Sequence, residues 1–295
     1  MFRSLRVKRQ PIKVATEPGA LSAEQLSRDP TIPVAIRQIN DLPGNAKKRV
    51  YRSLFPPRLL TCFGLDPITW ISQNGDQMIR LKAEHDTGKM NLTVRRGSDP
   101  SGDFICIELA DNSFNGIDLN LILLNDPDSP YFRTDFNQYD QPTYFGTTSR
   151  NLPEELRSMQ AGLAPGQVRN SLGASKLVLA QIDGFLATLG HRAYFLEPLT
   201  YVSAWVFERR GFAYVRGHKL MDDIHQGFQP GGRLYHALDG STPFRQPNQW
   251  STVRGRAWAI HDGVLEVIGE KWDGLRMVKQ VGRHAHVETF PGAKY

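Results

Sequence analysis

The residues whose types and spacing bear on chemistry are concentrated between Pro165 and Gly217. Asn170-Ser171-Leu172-Gly173-Ala174-Ser175 is a glycine-bearing loop that opens onto an amphipathic run. At a helix start the first amides have no partner within the helix, and the helix dipole favours negative charge. Such a loop can therefore hold a phosphate, with glycine where the backbone must come close. Glu197 follows the apolar run AYFL, where a carboxylate could act as a base directly or through water, a salt-bridged surface glutamate being the simpler reading.

Histidines gather later in the chain: His218, His225, His236, His261, His284 and His286. His284 and His286 share one side of an extended segment, and with His261 and Asp262 they sketch a metal site. No spacing fixes the third ligand, so polar histidines at strand edges are the simpler reading and no metal is expected. Arg245, Arg254 and Arg256 lie in glycine-rich loops, where they suit either anion binding or docking onto the core.

The elements that must position these groups follow from periodicity. Met78 to Leu124 has a period of two, with turns at HDTG, GSDPSG and DNSFNG, which predicts an antiparallel meander of about four strands. A further strand is expected at YFRTDF, within the connection from Asp126 to Pro142. Leu152 to Leu163 reads as a helix capped by Asn151. Val168, Leu172, Leu179, Ile182, Leu186 and Leu189 paint one face of a long helix that Gly190 ends. AYFL is a buried-type strand. Thr200 caps YVSAWVFERR, Gly211 ends it, and FAYVRG is the next strand. The two strands are expected to be near-parallel neighbours or members of one mixed sheet. Short helices are predicted at SAEQLSRD, NAKKRVYRSLF and KLMDDIHQGF, and short strands at RAWAI, VLEVI and LRMVK.

The segment Pro165 to Gly217 resembles the cofactor-binding half of the GNAT acyltransferase superfamily. Members carry Q/R-x-x-G-x-G/A before a long helix, and here Gly173 matches the central glycine. They continue with a strand, then N-x-x-A-x-x-x-Y-x-x-x-G-F, then another strand. Thr200 to Phe212 follows that spacing and ends in Gly211-Phe212. The departures are Asn170 at the first loop position, Ser175 at the last, and Phe207 in place of the tyrosine that reprotonates the thiolate. Phenylalanine has no proton to give.

The resemblance implies an α/β fold with a mixed sheet, in which the meander is followed by helix-strand-helix-strand. It also implies acetyl-CoA or another acyl-CoA as co-substrate, bound by Val168, Arg169, Asn170, Ser171, Leu172, Gly173 and Ala174. A small-molecule or peptide amine would be the acceptor, and Glu197 and Tyr201 the candidate catalytic residues. A GNAT-like module without activity, serving as a structural or interaction subunit, is the alternative. A metal-dependent enzyme using the late histidines is the third reading.

Bulk composition bounds the rest. The chain has 295 residues, 40% hydrophobic and 22% charged, which suits a packed globule. Two cysteines make no disulfide framework, and a cytoplasmic setting is expected. No run of about 18 apolar residues predicts a membrane span. The net charge is +6, of which Arg3, Arg6, Lys8, Arg9 and Lys13 supply five and leave +1 for the body. Nucleic acid is therefore not expected except through this basic arm, which could also meet an acidic partner. The expected organisation is an arm over residues 1–60 able to contact a protein partner, a GNAT-like domain over 61–218, and a loop-rich extension over 219–295 packed on the core.

Overall fold

The computed structural model describes residues 26, 31–97, 102–144 and 146–295. Four strands form the expected meander: β1 (Ile79–Lys82), β2 (Lys89–Arg95), β3 (Asp103–Asp111) and β4 (Ile117–Leu124). Each pairs antiparallel with its neighbour. Then come β5 (Ala193–Leu196), β6 (Ala213–Arg216) and β7 (Arg276–Gln280), giving one mixed sheet in the order β1-β2-β3-β4-β5-β7-β6.

Alternation along the meander separates two faces. Leu92, Val94, Ile105 and Ile107 are fully buried on one face. The opposite face carries the paired rows Asn91–Glu108–Leu121 and Thr93–Cys106–Leu123. The buried face is covered by α1 (Ile36–Asn40), α2 (Gly44–Arg52) and a long helix over 175–188. The Tyr51 ring meets Phe185 of that helix at 6.2 Å. The Tyr51 hydroxyl donates to the buried Asn40 amide oxygen at 2.5 Å. Residues 36–55 thus belong to the core and not to an arm, because Ile36, Ile39, Val50, Tyr51, Leu54 and Phe55 are all buried in it. A short α3 (Pro57–Cys62) follows. The helix expected at SAEQLSRD lies outside the described residues, Leu26 apart.

Between β4 and the long helix runs an insertion, residues 125–174. It holds α4 (Leu152–Gln160), which the Asn151 side chain caps by accepting from the Glu154 amide. YFRTDF is not a strand. Its Asp135 is tied up instead by the Tyr131 hydroxyl at 2.6 Å and its surroundings form turns. The long helix α5 spans Ser175–Thr188 and Gly190 follows it with φ +84°. Next, α6 (Tyr201–Glu208) is capped reciprocally by Thr200 and Ser203.

The C-terminal region departs most from expectation. RAWAI lies within α9 (Val253–His261), after α7 (His218–Gly227) and α8 (Arg233–His236). VLEVI forms a 3-10 turn, Val264–Ile268. Five residues, four of them apolar, have no decisive period, and burial of α9 on all sides hides the helical one. LRMVK does form a strand, but a central one. β7 lies between β5 and β6, antiparallel to both, so β5 and β6 share a direction without touching. The extension therefore completes the sheet. No helix among the described residues is long and apolar enough to cross a membrane.

Candidate active site

β4 and β5 are parallel for only two residue pairs, Ile117–Tyr194 and Asp118–Phe195. Beyond them β4 continues to Leu124 while β5 ends at Leu196, so the strands part and one edge of β4 loses its neighbour. Along that stretch Leu121, Ile122, Leu123 and Leu124 are half-exposed. The ladder between β3 and β4 also shifts here: Glu108 faces Leu121 whereas Leu109 faces Leu119, leaving Asn120 as an extra residue. Such a bulge bends its strand and re-aims side chains.

The glycine loop closes the far end of this opening. Ser171 forms a bridge with Asn125 at the end of β4. The Leu172 amide donates to the Leu124 carbonyl at 3.0 Å, and the Asp126 amide donates to Asn170 at 2.7 Å. The helix predicted from Val168 therefore starts later, at Ser175. Val168 and Leu172 lie in the loop, held by the insertion and by β4, and Gly173 has φ +67°, outside the helical region. A Cβ at Gly173 would meet nothing within 4 Å, so the loop faces open space there.

Three of the seven loop amides are engaged within the fold. The Asn170 amide donates to the Ser129 hydroxyl at 3.1 Å, the Leu172 amide to the Leu124 carbonyl, and the Gly173 amide to the Ser171 hydroxyl at 3.2 Å. Arg169 turns its guanidinium back onto the Ser129 carbonyl and over the Tyr131 ring. The first bond inside α5 runs from the Val178 amide to the Ala174 carbonyl at 3.0 Å. The amides of Ser175, Lys176 and Leu177 thus form the helix end, with no side-chain cap. Arg210 stands beside them, donating to the Ser175 hydroxyl at 3.1 Å.

The predicted catalytic pair is not brought together. Glu197 is exposed past the end of β5, and Arg276 binds it at 3.1 Å while also binding Asp118 at 2.8 Å. That is the arrangement of a surface ion pair. Tyr201 is 2% exposed, with its ring edge-on to Trp272. Burial pushes its hydroxyl up to about 12, partly opposed by the neighbouring Arg256 guanidinium. Phe207 packs on Phe212 at 5.1 Å.

The late histidines are dispersed. The His284 and His286 rings lie 4.4 Å apart, tilted by 39°, near Arg209, whereas His261 binds Glu155 at 3.1 Å. Among the described residues no three His, Cys, Asp or Glu side chains converge as metal ligands. His261 belongs to a different assembly, in which Arg150 binds Glu155 at 2.5 Å and Asp262 at 2.8 Å. Arg245 also binds Asp262, at 2.9 Å. This network joins the insertion to the extension. Burial raises the Glu155 and Asp262 carboxyls, but His261 and Arg150 for the one, and Arg150 and Thr242 for the other, outweigh it and leave both below the ordinary range.

A groove of about 550 Å³ lies elsewhere, lined by Phe63, Gln73, Arg80, Arg95 and Arg96 among others. Its Arg95 is held by Asp103 and its Arg96 by Asp128, so most of its positive charge is already met.

Sequence reading passed over Glu108 and Asn120. The signal was present, since a glutamate inside FICIEL must sit on the face opposite its isoleucines. Asn120 needed the bulge, which nothing in GIDLNLILL announces. Comparison with known protein families, curated proteins and solved structures returned no match.

Proposed function

We propose that this chain is an acyl-CoA-dependent N-acyltransferase of GNAT-like architecture, with acetyl-CoA as donor and an amine as acceptor. The observation that carries the reading is the parting of β4 from β5 after two residue pairs, which leaves a strand edge that leads to a helix N-terminus. A chain of amides, such as the pantetheine arm, can bond to a free strand edge. The α5 amides with Arg210 supply donors for a pyrophosphate at its end. Rate enhancement would come chiefly from holding amine and thioester together, since neither Tyr201 nor Phe207 offers a proton at the cleft.

Millimolar acetyl-CoA should raise the thermal midpoint of the protein, because a ligand that binds only the native state stabilises it. Absence of any shift with acetyl-CoA and longer acyl-CoAs would sink this reading. The engaged amides of Asn170, Leu172 and Gly173 and the phenylalanine at position 207 favour a second one, a silent GNAT-like subunit. A stoichiometric partner that co-purifies and is lost with residues 1–44 would support it.

A further inference from the structure

We propose that Glu108 and Asn120 form a recognition site for a cationic primary amine on the sheet face beside the parting of β4 and β5. The role of this amine as acceptor rests on the transferase reading above. Glu108 is half-buried and accepts from the Asn91 and Asn120 side-chain amides, at 3.4 and 3.2 Å. Two neutral donors orient its carboxylate. Among the described residues no ion pair includes Glu108, whereas Asp103, Asp118 and Glu197 on the same face each have an arginine.

Placement gives this charge its meaning. The bulge sets Asn120 and Leu121 both against Glu108. Asn120 is exposed and lies two residues past Asp118, the last residue of β4 to pair with β5. A thioester carbonyl laid along the free edge of β4 would therefore have Glu108 on one side of it. An ammonium there finds a carboxylate already oriented and partly removed from water, where a charged hydrogen bond is strong. In the transfer, the amine nitrogen forms a C–N bond to the thioester carbon and the C–S bond breaks. Of the two protons that the ammonium gives up, one ends on the thiolate and the other leaves to solvent by way of Glu108.

The test needs no donor. Spermidine binding is measured calorimetrically at physiological ionic strength for the wild type, Glu108→Gln, Asn120→Ala and the surface control Glu84→Gln. Glu108→Gln should weaken binding by about tenfold or more. Asn120→Ala should weaken it several-fold, and Glu84→Gln should leave it unchanged. A wild type that does not bind spermidine, or a Glu108→Gln variant that binds it equally well, overturns the proposal. If Glu108→Gln does not fold, unchanged affinity in Asn120→Ala overturns it instead. Glu108-dependent spermidine binding in a protein that ignores every acyl-CoA would keep the cation site and discard the transferase.

Discussion

The cleft at β4 and β5 and the junction between insertion and extension use polar residues in opposite ways. At the junction, Arg150, Arg245 and His261 close on the buried carboxylates of Glu155 and Asp262, so that each of these groups has an ionic partner within the fold. At the cleft, the half-buried carboxylate of Glu108 has no ion pair among the described residues, and the strand edge beside it has lost its neighbour. The junction has the denser set of ionisable groups, yet each is spent on another side chain of the same protein. Chemistry on an outside molecule requires bonding capacity left over, and that surplus lies in the sparser region.

The sharpest way to break this comparison is to remove a junction charge. Asp262→Ala leaves Arg245 without its carboxylate and takes one of two carboxylates from Arg150 in a partly buried site, and should cost about 3 kcal/mol by chemical denaturation. A cost below 1 kcal/mol would mean that the junction is not the structural clamp described here.

Acid should find the same place. Glu155 and Asp262 titrate lower folded than unfolded, so their stabilisation is complete above the unfolded carboxylate range, roughly pH 4. It is lost as the pH falls through their lower folded values. Stability measured against pH should therefore decline below about pH 4.5, and Asp262→Ala should flatten that decline. The smallest effect belongs to Glu197→Ala. Its exposed pair with Arg276 should be worth less than about 0.5 kcal/mol, and a larger loss would place Glu197 among the structural groups.

How much was legible beforehand follows the same division. The meander, the capped helices at Asn151 and Thr200, and the AYFL strand depend on local period and cap chemistry, which the chain carries openly. The start of α5 is not legible because Val168 and Leu172 continue its apolar stripe, while backbone bonds to Leu124 of β4 and Phe132 of the insertion hold them outside it. The glycine loop was found by its residue types. The parting of the strands and the bulge at Asn120 were not, since both arise from pairing between segments distant in sequence. The junction was hidden for that reason too: Arg150 and Asp262 are 112 residues apart.

The position of β7 has a consequence for how the chain is made. β5 and β6 emerge from the ribosome some 60 to 80 residues before Arg276–Gln280, the strand that must lie between them. Until then two short strands present unpaired edges that could bond to each other or to a neighbouring chain. Closing the sheet waits on a contact distant in sequence, which slows folding and lengthens that exposure. Synthesis of this protein thus passes through an interval in which a nascent chain halted before residue 276 holds an incomplete sheet, the kind of species that chaperones shield and proteases remove.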